Sequence, residues 1–263
     1  MYSVFTPSHR GGAGSPLVCL HGFSDTWRTW VLGELERHHD VLAPTLPGHA
    51  GGPPLGGPPS ATLFPDAIER AMDEAGFRTA HIVGNSLGGH VALALAARGR
   101  ARSVVAFAPA GGWAEGDESR GETLRLQRRM HEELQAAAPH AEAIVATLEG
   151  RRRATRLIAA SFEHIPAELL AHQICGAASC DAVPLLEYAM RADWRLDAEQ
   201  ITCPVRIVWG TDDTLLPWPS SATRFRNEWL PHADWVELDG IGHCPQLETP
   251  LEAAQLITGF TAA

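Results

Sequence analysis

The chain has 263 residues, of which 45% are hydrophobic and 20% are charged, a balance typical of a soluble globular protein. Its net charge of −10 argues against a nucleic-acid-binding surface, which would be basic. No leader-like segment and no membrane-length apolar run occurs, so we expect neither a signal peptide nor a membrane anchor. The five scattered cysteines favour reduced thiols and a cytoplasmic location, without a disulfide framework or structural zinc.

The first part of the chain alternates between strand and helix patterns. Short apolar runs predict strands, and apolar residues at helical spacing predict helices. The predicted strands are 16–20, 40–43, 81–83 and 103–108, and the predicted helices are 64–75 and 91–97. Between the second strand and the first helix, a long stretch rich in glycine and proline (47–59) predicts a surface loop. Strands that alternate with helices indicate a parallel, doubly wound sheet.

Residues 111–196 interrupt this alternation with helical patterns only, at 118–134, 141–148, 152–162, 167–175 and 183–188. The alternation then resumes with strands at 205–209 and 234–238 and helices at 218–230 and 251–260. We therefore predict an α/β core formed by 1–110 and 197–263, with a helical insertion at 111–196 between two core strands. Such an insertion could cover an active site as a lid.

A tight turn in the middle of the core carries a candidate nucleophile. Residues 84–88 read Gly-Asn-Ser-Leu-Gly, a G-x-S-x-G match between a predicted strand and a predicted helix. A serine on such a strained turn projects from the end of the strand and needs small neighbours, which Gly84 and Gly88 provide. The main-chain N–H of Leu87 opens the helix and can face a developing negative charge. These features make Ser86 the candidate nucleophile.

A base and an orienting acid follow in the order that a serine nucleophile on this scaffold requires. Asp212 and Asp213 come directly after the strand at 205–209, and His243 lies on a glycine-flanked loop after the strand at 234–238. Ligands bind at the carboxyl ends of the strands in open α/β sheets, so these side chains are expected near Ser86. Either carboxylate could orient the histidine.

Taken together, these motifs resemble the α/β-hydrolase family over nearly the whole core. The resemblance runs from His21-Gly22 through the serine turn to Trp209-Gly210-x-x-Asp213 and Gly242-His243. It implies Ser86 as nucleophile, His243 as general base and Asp213 as the orienting acid, because in relatives the acid is the fourth residue after the tryptophan.

The resemblance also implies a two-step acyl transfer without a metal or organic cofactor. The main-chain N–H groups of Leu87 and Phe23 would bind the oxyanion. Relatives that open epoxides or remove halogen generally carry aspartate at the elbow, so Ser86 argues against those activities. The expected partner is a small-molecule substrate: a carboxylic ester, lactone or thioester of a largely apolar molecule.

Two alternatives use the same fold. The triad could instead serve C–C bond cleavage, elimination or perhydrolysis, or the chain could be a non-catalytic ligand-binding protein. Trp27 and Trp113 are candidate pocket residues, although buried aromatic side chains more often form core. The arginines of the insertion could bind an anionic substrate or a carrier protein, but nearby glutamates favour solvated ion pairs.

Overall fold

A computed structural model describes residues 4–262. A seven-stranded sheet organises it, with strand order β1-β3-β2-β4-β5-β6-β7. Neighbouring strands are parallel except β1, which runs antiparallel to β3 at one edge. The strands are β1 (Ser8–Gly12), β2 (Ser15–Leu20), β3 (His39–Pro44), β4 (Ala80–Asn85), β5 (Ala101–Phe107), β6 (Val205–Gly210) and β7 (Asp234–Leu238). The predicted doubly wound, mostly parallel sheet is confirmed.

The helices pack on both faces of the sheet and at its carboxyl edge. They are α1 (Leu32–Leu35), α2 (Leu63–Glu74), α3 (Leu87–Ala97), α4 (Ser119–Ala137), α5 (Ala141–Val145), α6 (Leu148–Thr155), α7 (Ala167–Ala178), α8 (Ala182–Arg191), α9 (Pro245–Glu248) and α10 (Pro250–Thr261). Helices α4–α8 all lie between β5 and β6, where the sequence predicts a helical insertion.

The structure differs from the predicted elements at three places. The edge strand β1 was not predicted, because its sequence, SHRGG, is polar and half-exposed. The helix predicted at 218–230 is present from 220 to 229, but it consists of a 3₁₀ turn (Ser220–Ala222), a short α-helical link and a π-helix (Phe225–Trp229) rather than a regular α-helix. The helix predicted at 152–162 ends with α6 at Thr155, and residues 156–158 form a turn.

The hydrophobic core has one layer on each face of the sheet. Alternate residues of β2 show why: Val18 and Leu20 pack into one layer, whereas Leu17 and Cys19 pack into the other. The insertion has an apolar cluster of its own, which also includes Cys244 and Leu247 from the core. The insertion is therefore packed onto the loop that carries His243.

Within the described residues, no single helix is long and apolar enough to cross a membrane. By length and composition alone, the bent pair α7 and α8, at 70° to each other, passes that test together.

Candidate active site

Ser86 lies on the turn between β4 and α3 with φ 55° and ψ −115°, a backbone conformation that is strained for any residue except glycine. The turn closes because its flanking glycines have no side chains. A Cβ added to Gly84 would lie 2.2 Å from the carbonyl oxygen of Gly88, and one added to Gly88 would lie 2.4 Å from that of Leu20. The main-chain N–H of Ser86 donates to Phe107 at 2.9 Å, which ties the strained turn to the neighbouring strand.

His243 and Asp213 form a buried hydrogen-bonded pair. The distance between His243 Nδ1 and Asp213 Oδ2 is 2.7 Å, and the residues are 2% and 4% exposed. The other carboxylate oxygen, Oδ1, accepts the N–H groups of Leu215 and Leu216 at 2.9 and 2.7 Å. Because the carboxylate faces Nδ1, the proton of the neutral imidazole lies there and Nε2 is left as the basic atom.

Nε2 of His243 makes no hydrogen bond to any part of the chain that the structure describes. His243 lines the same cavity as Ser86, so the structure brings these two predicted site residues together. Asp212, the other candidate acid, is exposed and lies outside this pair. The geometry therefore favours Asp213.

Asn85 positions the histidine loop relative to the serine turn. Its Nδ2 donates to the carbonyl oxygens of His243 at 3.0 Å and Phe107 at 3.2 Å. Its Oδ1 accepts from Gln246 Nε2 at 3.1 Å and from the thiol of Cys244 at 3.4 Å. One side chain next to Ser86 thus holds both the strand behind it and the loop opposite it.

Glu248 joins the histidine loop to the insertion. Its buried carboxylate accepts the N–H of Gly242 at 2.8 Å, that of Ala160 at 3.1 Å and that of Ser161 at 2.7 Å. In addition, Cys244 N–H donates to the carbonyl oxygen of Ile158 at 2.8 Å. The insertion is therefore fixed to the core directly beside His243.

Replacing Glu248 with glutamine is expected to lower the free energy of unfolding by about 2 kcal/mol, because an amide cannot accept all three N–H groups and its own NH₂ opposes one of them. Urea denaturation measures the effect. Glu252, exposed on α10, provides the matched control, and its Gln variant is expected to stay within about 0.5 kcal/mol of the wild type. Equal stability of the two variants would contradict the anchoring role of Glu248.

His21 fixes the loop that carries the N–H of Phe23. Its Nε2 accepts the N–H of Leu46 at 2.9 Å, so Nδ1 must carry the proton and donates to the carbonyl oxygen of Gly22 at 2.7 Å. Burial, reinforced by His49, lowers the pKa of His21 well below its usual value and keeps the ring neutral. In a trans peptide the N–H of Phe23 points away from the Gly22 carbonyl, so His21 orients this N–H without exchanging a proton.

Two unequal cavities meet at Ser86. The larger, of about 450 Å³, is mostly apolar and includes Leu87, Trp113, Leu124 and Leu185 in its wall. The smaller, of about 80 Å³, contains His243 in its wall. Phe23, Ser86 and Gln127 line both cavities. The candidate nucleophile thus lies at the boundary between two compartments.

The two predicted pocket tryptophans have different outcomes. Trp113 lies in the wall of the larger cavity, where its ring contacts that of Trp194 at 5.9 Å. The prediction for Trp27 was wrong. Its ring stacks on His9 at 5.1 Å and its Nε1 donates to Thr6, so it belongs to neither cavity wall.

Asp25 is a site residue that sequence reasoning missed. It lines the smaller cavity, where burial raises the pKa of its carboxyl to about 6 although Thr26, Thr29 and Gln173 donate hydrogen bonds to it. Its Oδ1 accepts the N–H of Thr26 at 2.7 Å and its Oδ2 accepts from Gln173 Nε2 at 3.4 Å. The available signal was its place four residues after His21, just beyond a strand end, where ligands bind.

Relative to the wild type, Asp25→Asn is expected to gain up to about 3 kcal/mol in the free energy of unfolding between pH 4 and pH 7.5, because the substitution removes a carboxyl whose charged form is disfavoured by burial. The native carboxyl has a pKa of about 6 against 3.8 in the unfolded chain, so ionisation destabilises the fold as pH rises between these values. The gain should shrink steadily as the pH falls from 7.5 towards 4, because the native carboxyl takes up its proton near pH 6 while the unfolded one does so only near pH 3.8. Thermal melts of both proteins at pH 4 and 7.5 measure it, and a gain that is equal at the two values would contradict the burial argument.

Several arginines of the insertion form ion pairs or bind main-chain carbonyls. Arg128 pairs with Glu132 at 3.5 Å, and Arg156 pairs with Glu133 at 3.0 Å. Arg151 donates to three carbonyl oxygens of the chain after α6. Among the described residues, no arginine lines the smaller cavity. Arg195 lines the larger cavity and forms an ion pair with Asp193. These contacts agree with the ion-pair interpretation.

The chain is similar in sequence to known hydrolases. A family model described as "Alpha/beta hydrolase family" matches residues 17–256. "Epoxide hydrolase EphH" of Mycobacterium tuberculosis is 36% identical over 203 residues, covering 76% of this chain and 94% of the relative. "Pimeloyl-[acyl-carrier protein] methyl ester esterase" of Aromatoleum aromaticum is 30% identical over 262 residues, covering 92% and 96%.

Solved structures agree on the fold. The "2-hydroxy-6-oxo-6-phenylhexa-2,4-dienoate hydrolase" of a Rhodococcus species aligns with a TM-score of 0.74 at 19% identity, covering 98% of this chain and 97% of that one. At this identity the likeness concerns the fold alone.

Proposed function

The chain belongs to the alpha/beta hydrolase family and is a hydrolase, and from this premise we propose that it is a serine hydrolase. The proposed substrate is a carboxylic ester, lactone or thioester of a small, largely apolar molecule, cleaved through an acyl-Ser86 intermediate. The proposal rests on the buried hydrogen-bonded pair of His243 and Asp213. Nε2 of His243 has no partner among the described residues, and His243 lines the same cavity as Ser86. That arrangement suits a base that removes the proton of the serine hydroxyl.

The reaction begins when Ser86 Oγ attacks the substrate carbonyl and His243 Nε2 takes the hydroxyl proton. Asp213 holds the imidazole in the required tautomer and stabilises the imidazolium that forms. His243 then protonates the leaving oxygen, and the ester bond breaks. Water attacks the acyl-enzyme with His243 again as base, which releases the acid and restores Ser86.

The oxyanion is held by the main-chain N–H groups of Phe23 and Leu87. Among residues 4–262, neither group donates a hydrogen bond to another residue, so both can serve a ligand. Leu87 contributes the first N–H of α3, where the helix dipole favours negative charge. His21 keeps the Phe23 peptide in place. The oxyanion is therefore stabilised by donors that need no rearrangement.

The larger cavity suits an apolar acyl group, and we assign the acyl part of the substrate to it. Helices α4 and α8 contribute Leu124 and Leu185 to its wall, and Trp113 completes the apolar lining. Since the wall comes partly from the insertion, 111–196 acts as a lid in this proposal. Residues of the lid then set the acyl length.

The test is the hydrolysis of methyl esters of increasing acyl length, followed by acid release, with Ser86→Ala as control. Turnover by the wild type that is lost in the variant is the expected result, with an optimum that reports the length of the larger cavity. Equal acid release by both proteins would contradict the role of Ser86.

Epoxide hydrolysis is a second candidate, because a relative with 36% identity has that name. The chemistry at Ser86 opposes it. Opening of an epoxide by a serine hydroxyl forms an ether, which has no carbonyl carbon for water to attack, whereas an aspartate nucleophile would form a hydrolysable ester. Diol formation from styrene oxide distinguishes the two activities, and we expect none.

A further inference from the structure

Only one of the two cavities at Ser86 contains the residue that protonates the leaving group. In ester cleavage the leaving oxygen must receive a proton from His243 Nε2. His243 lines the smaller cavity but not the larger one. The leaving alcohol is therefore placed in the smaller cavity, and the acyl group extends into the larger. This assignment rests on the proposed serine hydrolase function.

The smaller cavity is narrow enough to restrict the alcohol. Its volume is about 80 Å³. The larger cavity has more than five times this volume, so the smaller one suits the smaller part of an ester. Phe23 and Leu170 are among the side chains that line it. A short alcohol therefore suits this cavity better than a long alkyl alcohol.

Asp25 gives this small cavity an acceptor character. Among the described residues, the ionisable side chains of this wall are those of Asp25, His243 and Cys244. No arginine or histidine of the described chain forms an ion pair with Asp25. A carboxylate offers about four acceptor positions, and Thr26, Thr29 and Gln173 use three of them. One position is left for a ligand, and a half-buried carboxylate without a cation gains from a donor.

Gln173 adds a second acceptor to the same wall. Its Nε2 is committed to Asp25, and its Oε1 makes no hydrogen bond to the described residues although it is buried. A buried amide oxygen without a donor costs free energy that a ligand donor would recover. Both acceptors belong to residues that enclose one small cavity.

We propose that Asp25 and Gln173 form a specificity site for the leaving alcohol, selecting a short alcohol that carries a second hydrogen-bond donor, such as a diol. An alcohol that carries a carboxylate is rejected, because its charge would face Asp25 without a neutralising cation. Asp25 and Gln173 take no part in bond breaking. They act by binding the part of the substrate that leaves.

Three esters of one acid, of similar size, test this selection: 2-hydroxyethyl, propyl and carboxymethyl hexanoate. For the wild type, kcat/KM should be about tenfold or more higher for the hydroxyethyl than for the propyl ester, the ratio that a charge-assisted hydrogen bond supplies. The carboxymethyl ester should be the poorest substrate. In Asp25→Asn the hydroxyethyl preference should fall below about threefold, and the carboxymethyl rate should rise about tenfold.

The propyl ester and a distant substitution serve as controls. Selectivity is read as the ratio of kcat/KM for each ester to that for the propyl ester, so a general change in the activity of Asp25→Asn cancels. The exposed Asp239→Asn variant should match the wild type on all three esters. Rescue of the anionic ester depends on charge, so a merely structural role of Asp25 would not produce it. Thermal melts separate loss of fold from loss of selectivity.

The possible failures are distinguishable. If wild type and Asp25→Asn hydrolyse the three esters in the same ratio, and Ser86→Ala hydrolyses none, the selection is overturned and the serine hydrolase stands. If an Asp25-dependent preference appears for a hydroxyl on the acyl chain of methyl esters, the leaving-group assignment is overturned. If the wild type hydrolyses none of the esters, the proposed function and the selection fail together.

Discussion

Replacement of Ser86 by alanine is expected to lower kcat by about 10⁴-fold or more, because the acyl-enzyme can no longer form. The fold should be retained. The oxygen removed makes no hydrogen bond within the described chain, and the strained turn is held by its glycines and by the bond from Ser86 N–H to Phe107. Steady-state hydrolysis of the preferred methyl ester measures the loss.

The control for this variant is Ser220→Ala, which removes a hydroxyl from an exposed turn. It should retain wild-type activity. Both variants should melt within a few degrees of the wild type, since neither leaves a buried polar group without a partner. A Ser86→Ala protein that keeps more than a tenth of the wild-type kcat would remove Ser86 from the mechanism.

Replacement of Asp213 by asparagine is expected to lower kcat by about 10³- to 10⁴-fold. The amide NH₂ can then donate to His243 Nδ1, which moves the imidazole proton to Nε2 and leaves Ser86 without a base. The effect on kcat should exceed that on KM, because Asp213 lies behind His243 and lines neither cavity at Ser86.

Asp212→Asn is the matched control, since the same change is made one residue earlier on an exposed side chain. It should keep wild-type kcat. If instead the Asp212 variant loses activity and the Asp213 variant does not, the hydrogen bond between His243 and Asp213 does not orient the base.

The sequence predicted where strands end, and its three candidate site residues follow such ends. Ser86, Asp213 and His243 come after β4, β6 and β7, and the carboxyl ends of parallel strands converge at one edge of a sheet. The same local signals could not place an aromatic side chain. Trp27 follows such a strand as well, but its orientation depends on the unpredicted edge strand β1, whose His9 it contacts.

The supporting residues lay beyond sequence reasoning, because their partners are distant in the chain. Glu248 binds a main-chain N–H 88 residues away, and Asp25 and Gln173 are 148 positions apart. No local pattern distinguishes such a carboxylate from a solvated one. Their roles depend on how the insertion packs on the core, which the periodicity of single helices does not specify.

The buried neutral state of His21 extends to other histidines of the chain, and it limits the protein in acid. Seven of the described histidines have a pKa lowered by burial: His21, His39, His49, His81, His90, His131 and His172. Below pH 6.5 the unfolded chain takes up protons on these rings before the native chain does, so stability falls as the pH drops from 6.5 towards the lowered native pKa values.

Asp25 acts in the opposite direction, but it is one group against seven. Acid should therefore inactivate this protein by cooperative unfolding, with a transition much steeper than the one-proton titration of a catalytic imidazole. A steep acid limb in a pH–activity profile would then report the integrity of the fold rather than the chemistry at Ser86.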